Sequence, residues 1–415
     1  MIYILAPYSI KLNTTSRNRI ISFYKALKEQ NIDTAIISPS LLVSLNTWYN
    51  QEGEDYSDLN VIFLPDIKLN MIKLAATRQR RQLKVIYFIL KSLVSPFLTY
   101  SNPLTLKKSG LDSISFSSKD TIICSYPSPT SITIANTITN KYGCQLVLDY
   151  RDPWTFGYHS VDLPKFASHI RKKLERAFEN SLLRRAKAIT VISANLKRAL
   201  PQELQFKTFV VRNGANSHYI DPDKIQPHSD KLRIVYLGTI YNQQLKDTVF
   251  FEALINFIKV NAIQREDFEL IFIGPNNSKI FEVIKKNDLE LYTRVVPTLN
   301  IQQALQIGYT ASAFLHLRYG KANEIYTSKH ADYLALQKPI LLPVSDKGVL
   351  AANILENNAG YVCRNEEECY NALLELWQKY QRGESFKIPR SKEYLYNISR
   401  EAEAEKLVEI IKKIQ

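Results

Sequence analysis

The chain has 415 residues, of which 45% are hydrophobic and 23% charged, and it contains four cysteines. This length exceeds what one ordinary hydrophobic core needs, so we expect two domains, and the composition excludes a disordered, collagen-like or low-complexity chain. The cysteines show neither a metal-ligand spacing nor a disulfide framework, which indicates free thiols in a reducing compartment. The first residues, MIYILAPYS, lack the features of a signal peptide. We therefore expect a cytoplasmic protein.

The formal net charge of +14 is concentrated in two stretches of the N-terminal half. Residues 67–108 contain nine Lys or Arg and no acid, and residues 165–198 have a net charge of +8. Such a concentration is typical of a protein with an anionic partner, although two solvated helix faces would show the same pattern. The first stretch is also apolar, yet too charged to span a membrane. It predicts a segment in the membrane interface, with these bases on anionic head groups: Arg78, Arg80, Arg81 and Lys84.

The alternative for this stretch is that its most apolar part, residues 85–98, packs inside the first domain while the bases keep it in solution.

Short apolar, β-branched segments alternate with segments of helical periodicity along the whole chain. Several are apolar at every position, as expected of strands buried on both faces of a parallel sheet. The alternation of strands and helices predicts a doubly wound α/β fold. The predicted strands are 3–7, 34–39, 61–65, 121–125, 145–150, 188–193, 208–212, 232–237, 269–273, 294–297, 313–317, 340–344 and 360–363.

The pattern breaks after Gly214, where a polar stretch with two prolines begins. We predict a Rossmann-like domain over 1–214, a linker over 215–231, a second Rossmann-like domain over 232–388, and a C-terminal helix over 389–415 that returns to the first domain. The two domains are expected to face each other across a cleft, with ligands at the carboxyl ends of the strands.

The most informative run of residues is 324–339. Thr327 or Ser328 is a good N-cap, and a helix is predicted over 329–336. This places Lys329 in the first turn. A helix N-terminus beside a lysine suits a diphosphate, because unpaired N–H groups and the helix dipole both favour anions.

The same run resembles the glycosyltransferase family 4 group of the GT-B fold, which carries two acids spaced E-x7-E and a G-x-P turn. Glu324 and Asp332 have this spacing, and Gln-Lys-Pro stands where Gly-x-Pro is usual. The S-K-x-x-[DE]-Y-L-A core, which begins at Ser328, resembles a bacterial subgroup that builds surface polysaccharides. By this resemblance, Lys329 and Ser328 lie at the nucleotide diphosphate, Asp332 at the ribose, and Glu324 at the transferred sugar, as a catalytic residue. The alternative is that Asp332 only complements the helix dipole and Glu324 is a solvated loop acid.

A second motif, D-x-R-D-P-W, follows the predicted strand 145–150 and resembles an element of the same subgroup. By this resemblance Asp152 approaches the acceptor hydroxyl or the sugar and is the second catalytic residue. Arg151 would meet phosphate, and Trp154 would give a flat surface for a sugar. The alternative is an ion-paired strand end.

Weaker matches complete the predicted site. Gly238, after the first strand of the second domain, would let the backbone approach a phosphate, and Lys246 fits a second phosphate-binding base. The first loop of the chain lacks glycine, so Ser16 and Arg17 are expected to contribute there. The D-x-D at residues 221–223 lies in the predicted linker and is interpreted as a turn, because the GT-B type needs no metal.

Together these features predict a metal-independent glycosyltransferase of hexosyltransferase type, which moves a sugar from a nucleotide sugar to a hydroxyl of a lipid-linked or other glycan acceptor. The resemblance implies retention of configuration and no cofactor beyond the donor substrate. The basic, apolar stretch 67–108 predicts a peripheral position on the inner face of the cell membrane. One alternative is a nucleotide-sugar 2-epimerase or hydrolase of the same fold. Another is a non-catalytic nucleic-acid-binding protein, but no nucleic-acid module or interleaving of bases with aromatics is visible, so nucleic acid is not an expected partner.

Overall fold

The computed structural model describes residues 1–11, 14–39, 56–64, 111, 114–126, 129–152, 154–155 and 165–415. The chain forms two compact units, one of Met1–Val211 with Ala404–Gln415 and one of Arg212–Glu403. None of the described helices is long and apolar enough to cross a membrane. The predicted membrane-facing residues all lie outside the described ones: Arg78, Arg80, Arg81 and Lys84.

Parallel strands form the centre of each unit. The described strands are β1 (Ile2–Leu5), β2 (Thr34–Pro39), β3 (Val61–Leu64), β4 (Thr121–Tyr126), β5 (Gln145–Tyr150), β6 (Ala188–Val191), β7 (Thr208–Val210), β8 (Leu232–Leu237), β9 (Phe268–Ile273), β10 (Thr293–Val296), β11 (Ala313–Leu315), β12 (Ile340–Leu342) and β13 (Gly360–Val362).

Helices follow most strands. The described α-helices are α1 (Thr15–Glu29), α2 (Pro129–Tyr142), α3 (Lys165–Arg185), α4 (Ala194–Ala199), α5 (Val249–Val260), α6 (Lys279–Lys286), α7 (Ile301–Tyr309), α8 (Ser328–Ala335), α9 (Val349–Glu356), α10 (Glu366–Gln381), α11 (Lys392–Asn397) and α12 (Arg400–Ile414).

The first unit contains a parallel sheet in the order β3-β2-β1-β4-β5-β6-β7 within the described residues. Successive side chains of a strand point to opposite faces, so Tyr3 packs into one apolar cluster and Ile4 into another. The second cluster includes Leu407 and Ile411 of α12, both fully buried. Both faces of the sheet are therefore covered, which explains why its strands are apolar at nearly every position.

The second unit contains a parallel sheet in the order β10-β9-β8-β11-β12-β13. Tyr236 of β8 packs with α5 and α10 on one face, and Val235 packs with α7, α8 and α9 on the other. Counted from its first strand, the second sheet has the order 3-2-1-4-5-6 of a doubly wound, Rossmann-like domain, and the first sheet has the same order with a seventh strand added at its end. The predicted fold class is confirmed, and each predicted strand corresponds to an observed one.

At the turn after α8, the chain departs from the pattern of the family that its sequence resembles. Gln337, where the family has glycine, has a φ of 56°, in the left-handed region that glycine adopts freely. Its carbonyl accepts a hydrogen bond from the N–H of Ile388 at 2.7 Å, and its side-chain oxygen accepts one from the N–H of Arg390 at 3.1 Å. These contacts offset the strain and tie the end of α8 to the segment before α11.

A buried ion pair organises the first unit. Arg19 of α1 donates from Nη2 and Nε to the two carboxylate oxygens of Asp149 at 2.7 and 2.9 Å, and both side chains are almost fully buried. Ser125 and Thr190 donate their hydroxyls to the same carboxylate. Burial alone would raise the pKa of Asp149, but Arg19 and these hydrogen bonds outweigh it and lower the pKa. The first acid of the D-x-R-D-P-W motif therefore joins α1 to β5.

Candidate functional site

The first turn of α8 is fixed by a side-chain cap. Thr327, in an extended conformation, accepts a hydrogen bond from the backbone N–H of His330 at 3.2 Å. Of the two N-caps that the sequence allows, the structure uses Thr327, and Ser328 is the first helical residue. A helix start has N–H groups without partners inside the helix and carries the positive end of the dipole. Ser328 and Lys329 therefore lie at an end of the helix that favours anions.

The ammonium group of Lys329 lies over the carboxyl end of β8. Its Nζ donates to the hydroxyl of Tyr236 at 2.6 Å and to the carbonyl of Thr239 at 3.2 Å, and it lies 4.0 Å from the centroid of the Tyr236 ring. Burial lowers the pKa of Lys329 from 10.5 to about 7, because the charged form loses hydration. An anionic ligand beside Lys329 would therefore stabilise the charged form of its side chain.

Gly238 lies against this lysine. It has a φ of 85°, and a Cβ built on it would lie 3.9 Å from both Cε and Nζ of Lys329. The structure thus brings together two predicted donor-binding residues that are far apart in the sequence. The φ of Gly238 lies in the left-handed region that favours glycine, and its backbone lies beside the Lys329 ammonium.

The other predicted phosphate-binding base, Lys246, is exposed in the turn that precedes α5. The backbone of this turn is fixed by its neighbour Asp247, which accepts from Nε of Arg318 at 2.8 Å and from Nη2 at 2.7 Å. Arg318 also donates from Nη1 to the carbonyl of Ser345 at 3.3 Å. The loops after β8, β11 and β12 are therefore tied together at the edge of the sheet that carries Gly238.

The two predicted acids are both partnered. Oδ1 of Asp332 accepts from the backbone N–H of Asn216 at 2.8 Å, and each of its oxygens lies 3.1 Å from the amide nitrogen of the same side chain. Burial raises the pKa of Asp332, although Arg400 and Asn216 act in the opposite direction. Glu324 is 8% exposed, and its Oε2 accepts from the N–H of Asn323 at 2.9 Å.

Two buried histidines support α8, and neither was among the site residues predicted from the sequence. Nε2 of His316, directly after β11, lies 3.3 Å from the hydroxyl of the cap Thr327. Nε2 of His330 lies 2.8 Å from the side-chain oxygen of Asn353 in α9. Burial lowers the pKa of His330 to about 4 and that of His316 well below its usual value, so both rings are neutral at pH 7. The sequence feature that could have identified His316 is its position immediately after an apolar strand.

In the first unit, Arg151 and Asp152 bind each other. Nη2 and Nε of Arg151 donate to Oδ2 of Asp152 at 2.9 and 3.2 Å. The Arg151 side chain is 13% exposed and that of Asp152 is 41% exposed. This is the ion-paired strand end that the sequence left open as an alternative, and it leaves much of the Asp152 carboxylate accessible.

Trp154 lies in the hydrophobic core of the first unit, only 4% exposed. Its ring stacks on Tyr126 at a centroid distance of 5.2 Å, and its backbone N–H donates to the hydroxyl of Tyr150 at 2.8 Å. Trp154 was predicted to give a flat surface for a sugar, and in the structure its indole packs against the rings of Tyr126 and Phe178. The sequence pattern could not separate a stacking platform from a core aromatic.

Ser16 and Arg17 lie in the first turn of α1, behind the cap Thr14. Both are buried, at 3% and 4% exposure. Nε of Arg17 donates to the carbonyl of Ile10 at 2.7 Å, which holds the loop after β1 against α1. Arg17 therefore has a structural contact within the predicted glycine-free loop.

A pair of buried acids on α3 was also missed. Glu175 and Glu179 are the acids of the basic stretch 165–198, and both are 1% exposed. Oε2 of Glu179 accepts from the N–H of Thr155 at 3.1 Å and from its hydroxyl. Burial raises the pKa of Glu179 to about 9, so this carboxyl is protonated at neutral pH. The sequence feature that could have identified this pair is its i,i+4 spacing in an otherwise basic helix, because that spacing puts both carboxyl groups on one face.

Among the described residues, no three His, Cys, Asp or Glu side chains cluster as a metal site would require. The D-x-D stretch begins a 3₁₀ turn, in which Asp221 accepts from the N–H of Asp223 at 3.0 Å.

The sequence matches no described protein family and no curated protein. The fold, in contrast, is similar to solved structures over nearly the whole chain. Sucrose-phosphate synthase from Thermosynechococcus elongatus has a TM-score of 0.64 at 13% identity, covering 100% of this chain and 98% of that one. A glycosyltransferase from Rickettsia africae has a TM-score of 0.60 at 16% identity, with the same coverage.

A putative UDP-N-acetylglucosamine 2-epimerase from Listeria monocytogenes is also similar, with a TM-score of 0.51 at 11% identity, covering 99% of this chain and 95% of that one. At such identities these likenesses establish the fold and leave the reaction open. The strand orders of the two units and these structural neighbours identify the fold of this chain as GT-B.

Proposed function

We propose that the protein is a glycosyltransferase that uses a nucleotide sugar as donor and a hydroxyl group as acceptor. The observation that carries this proposal is the position of the Lys329 ammonium, beside Gly238 and in the first turn of α8. A lysine side chain, a neighbouring glycine backbone and a helix N-terminus together suit a diphosphate.

In the proposed reaction, negative charge develops on the diphosphate as the bond to the sugar breaks. Lys329 and the N-terminus of α8 stabilise this charge without rearrangement, which is an electrostatic contribution of the oxyanion-hole kind. The exposed Lys246 would add a second cation. The chemistry of this leaving group therefore requires no metal ion.

In this proposal, Asp332 and Glu324 bind the ribose and the transferred sugar of the donor substrate. Oδ2 of Asp332 accepts one hydrogen bond, from Asn216, and an ionised carboxylate oxygen has room for another donor such as a ribose hydroxyl. Glu324 would accept from a hydroxyl of the transferred sugar. These roles are those that the family resemblance implies.

A panel of nucleotides tests the donor assignment. Calorimetric titration with UDP, GDP and dTDP should give binding by at least one of them, and the corresponding nucleotide sugar should raise the melting temperature of the protein. Failure of all three to bind would contradict the proposal.

A reaction without acceptor distinguishes the proposed transferase from the epimerase alternative. Incubation with UDP-N-acetylglucosamine alone should leave its configuration unchanged for a transferase. Formation of the 2-epimer in the absence of any acceptor would replace the transferase proposal with the alternative.

For the acceptor, we propose a hydroxyl of a lipid-linked glycan, approached by Asp152. The carboxylate of Asp152 is 41% exposed, so it is accessible to a ligand. Asp152→Asn should slow transfer to a polyprenyl-linked acceptor and leave donor affinity within about twofold, because the substitution keeps the shape of the group. Unchanged transfer would show that Asp152 only partners Arg151.

A position on the inner membrane surface belongs to the same proposal. Exposed bases of the described stretch 165–198 include Lys172, Lys173 and Lys187, and each base near an anionic surface contributes on the order of 1 kcal/mol. Vesicles with anionic lipid should sediment the protein at low salt. Charge reversal at Lys172, Lys173 and Lys187, or at Arg78, Arg80, Arg81 and Lys84, should weaken this association. Wild-type indifference to anionic vesicles would contradict the membrane proposal.

A further inference from the structure

The residue in closest polar contact with Lys329 is Tyr236, which is fully buried in β8. Its hydroxyl accepts from Nζ of Lys329 at 2.6 Å and lies 3.0 Å from the carbonyl of Thr239, to which it donates. A tyrosine hydroxyl has one proton and two lone pairs. Donation to Thr239 therefore leaves its lone pairs facing the ammonium.

The fully buried Gln244 lies beside Tyr236, with its Oε1 3.5 Å from the tyrosine hydroxyl. The same oxygen accepts from the N–H of Tyr241 at 2.9 Å, and Nε2 of Gln244 donates to the carbonyl of Leu317 at 2.8 Å. Two backbone groups from different loops thus fix the amide. The loops that carry Tyr241 and Leu317 are therefore joined beside the hydroxyl of Tyr236.

The chemistry of this contact differs from ordinary core packing. The ring of Tyr236 packs with Phe272, and a phenylalanine ring would pack there equally well. Burying the additional hydroxyl costs free energy unless the hydroxyl has hydrogen-bond partners. The ring also lies under the ammonium at 4.0 Å, a cation–π distance. Hydroxyl and ring together offer the ammonium an acceptor and a negative face where water is scarce.

We propose that Tyr236 is a positioning residue, which holds the Lys329 ammonium at the ligand-binding end of α8 and stabilises its charged form. The assignment of a diphosphate to Lys329 rests on the proposed function, but the contact between the two side chains does not. Tyr236 itself would touch no substrate atom. It would act through Lys329.

The variant that tests this is Tyr236→Phe, which removes the hydroxyl and keeps the ring. Tyr309→Phe is a matched control, because Tyr309 is also buried in the second unit and its hydroxyl bonds Asp221 and Tyr219. Both variants lose one buried hydroxyl. Equal melting temperatures for the two would show that any difference at Lys329 is local.

The first readout needs no nucleotide. The rate of acetylation of the Lys329 amine at pH 6 is measured by peptide mass spectrometry. Loss of an acceptor disfavours the ammonium, so Tyr236→Phe should expose more neutral amine and react about fivefold faster. Tyr309→Phe should react at the wild-type rate. Equal rates in all three proteins would overturn the inference.

The second readout is the affinity for UDP, in the wild type and in a Lys329→Met background. Tyr236→Phe should weaken binding at least threefold in the wild type and have no further effect once Lys329 is absent. A loss of equal size in both backgrounds would mean that Tyr236 acts independently of Lys329 and would overturn the inference. If wild type binds no UDP, GDP or dTDP, the proposed function fails, and the acetylation rates alone decide the role of Tyr236.

Discussion

The two units share a strand order but treat their polar residues at strand ends differently. In the second unit, Lys329 contacts Tyr236 and Thr239 and lies beside an open glycine. In the first unit, Arg151 is paired with Asp152, and Trp154 is enclosed in the core. A polar motif after a buried strand therefore has two possible uses. Both cations have partners within the protein, and the difference lies in the neighbouring residue, which is a glycine beside Lys329 and an enclosed indole three residues after Arg151.

The largest effect on stability should come from breaking the buried pair of the first unit. Arg19→Met leaves the Asp149 carboxylate buried with only hydroxyl donors, and we expect a loss of about 3–5 kcal/mol in the free energy of unfolding. Urea denaturation followed by circular dichroism measures it.

The control is Arg184→Met on the same unit. Arg184 pairs with Glu203, but both side chains are more than half exposed, at 65% and 57%. This pair should contribute less than about 1 kcal/mol, because water screens it. Similar losses for the two variants would contradict the assignment of a special role to Asp149.

The next largest effects concern the two acids of the second unit. Glu324→Gln should lower turnover at least tenfold, about 1.4 kcal/mol, while donor affinity changes little. Asp332→Asn should mainly weaken donor binding, because it loses charge where Asn216 and the ribose donate. Steady-state kinetics with varied donor separates kcat from KM. The reverse pattern would exchange the two roles.

The fold and the helix that carries Lys329 could be predicted from the sequence. Apolar runs such as 232–237 and 269–273 are long enough to be recognised as strands, and their alternation with helices defines the doubly wound order. The cap at Thr327 placed Lys329 correctly in a first turn, because N-caps depend on local sequence.

Contacts between distant residues could not be predicted in this way. The pairing of Asp332 with Asn216 and of Arg19 with Asp149 joins residues more than 100 positions apart. The role of Trp154 as a surface for a sugar came from the resemblance of its motif, while its burial depends on Tyr126 from another strand. Local pattern gives the element on which a residue lies, and tertiary packing decides its exposure.

A smaller effect is expected from pH. Burial lowers the pKa of Lys329 to about 7 in the free protein, and a diphosphate bound as we propose would raise it. Binding is therefore strongest where Lys329 is already protonated, and it weakens as the pH rises through 7, by up to about tenfold per pH unit. Titrations between pH 7 and 9 should show this slope in the wild type and none in Lys329→Met. An identical slope in both would assign the pH dependence to another group.

The smallest effect should come from Trp154→Phe. If Trp154 acts only in packing, the melting temperature falls modestly, by the equivalent of about 1 kcal/mol, while the KM for acceptor stays the same. An increased KM for acceptor with unchanged stability would restore the sugar-stacking role. Thermal denaturation and acceptor kinetics on the same preparation decide between them.

The most direct test of the account is the affinity of Lys329→Ala for the nucleoside diphosphate that the wild type binds best. In the proposed donor site, Lys329 contributes the ammonium at the N-terminus of α8, so its removal should weaken binding at least tenfold, about 1.4 kcal/mol. Calorimetric titration of both proteins at pH 7 provides the comparison. Wild-type affinity in Lys329→Ala would contradict the donor site that we propose.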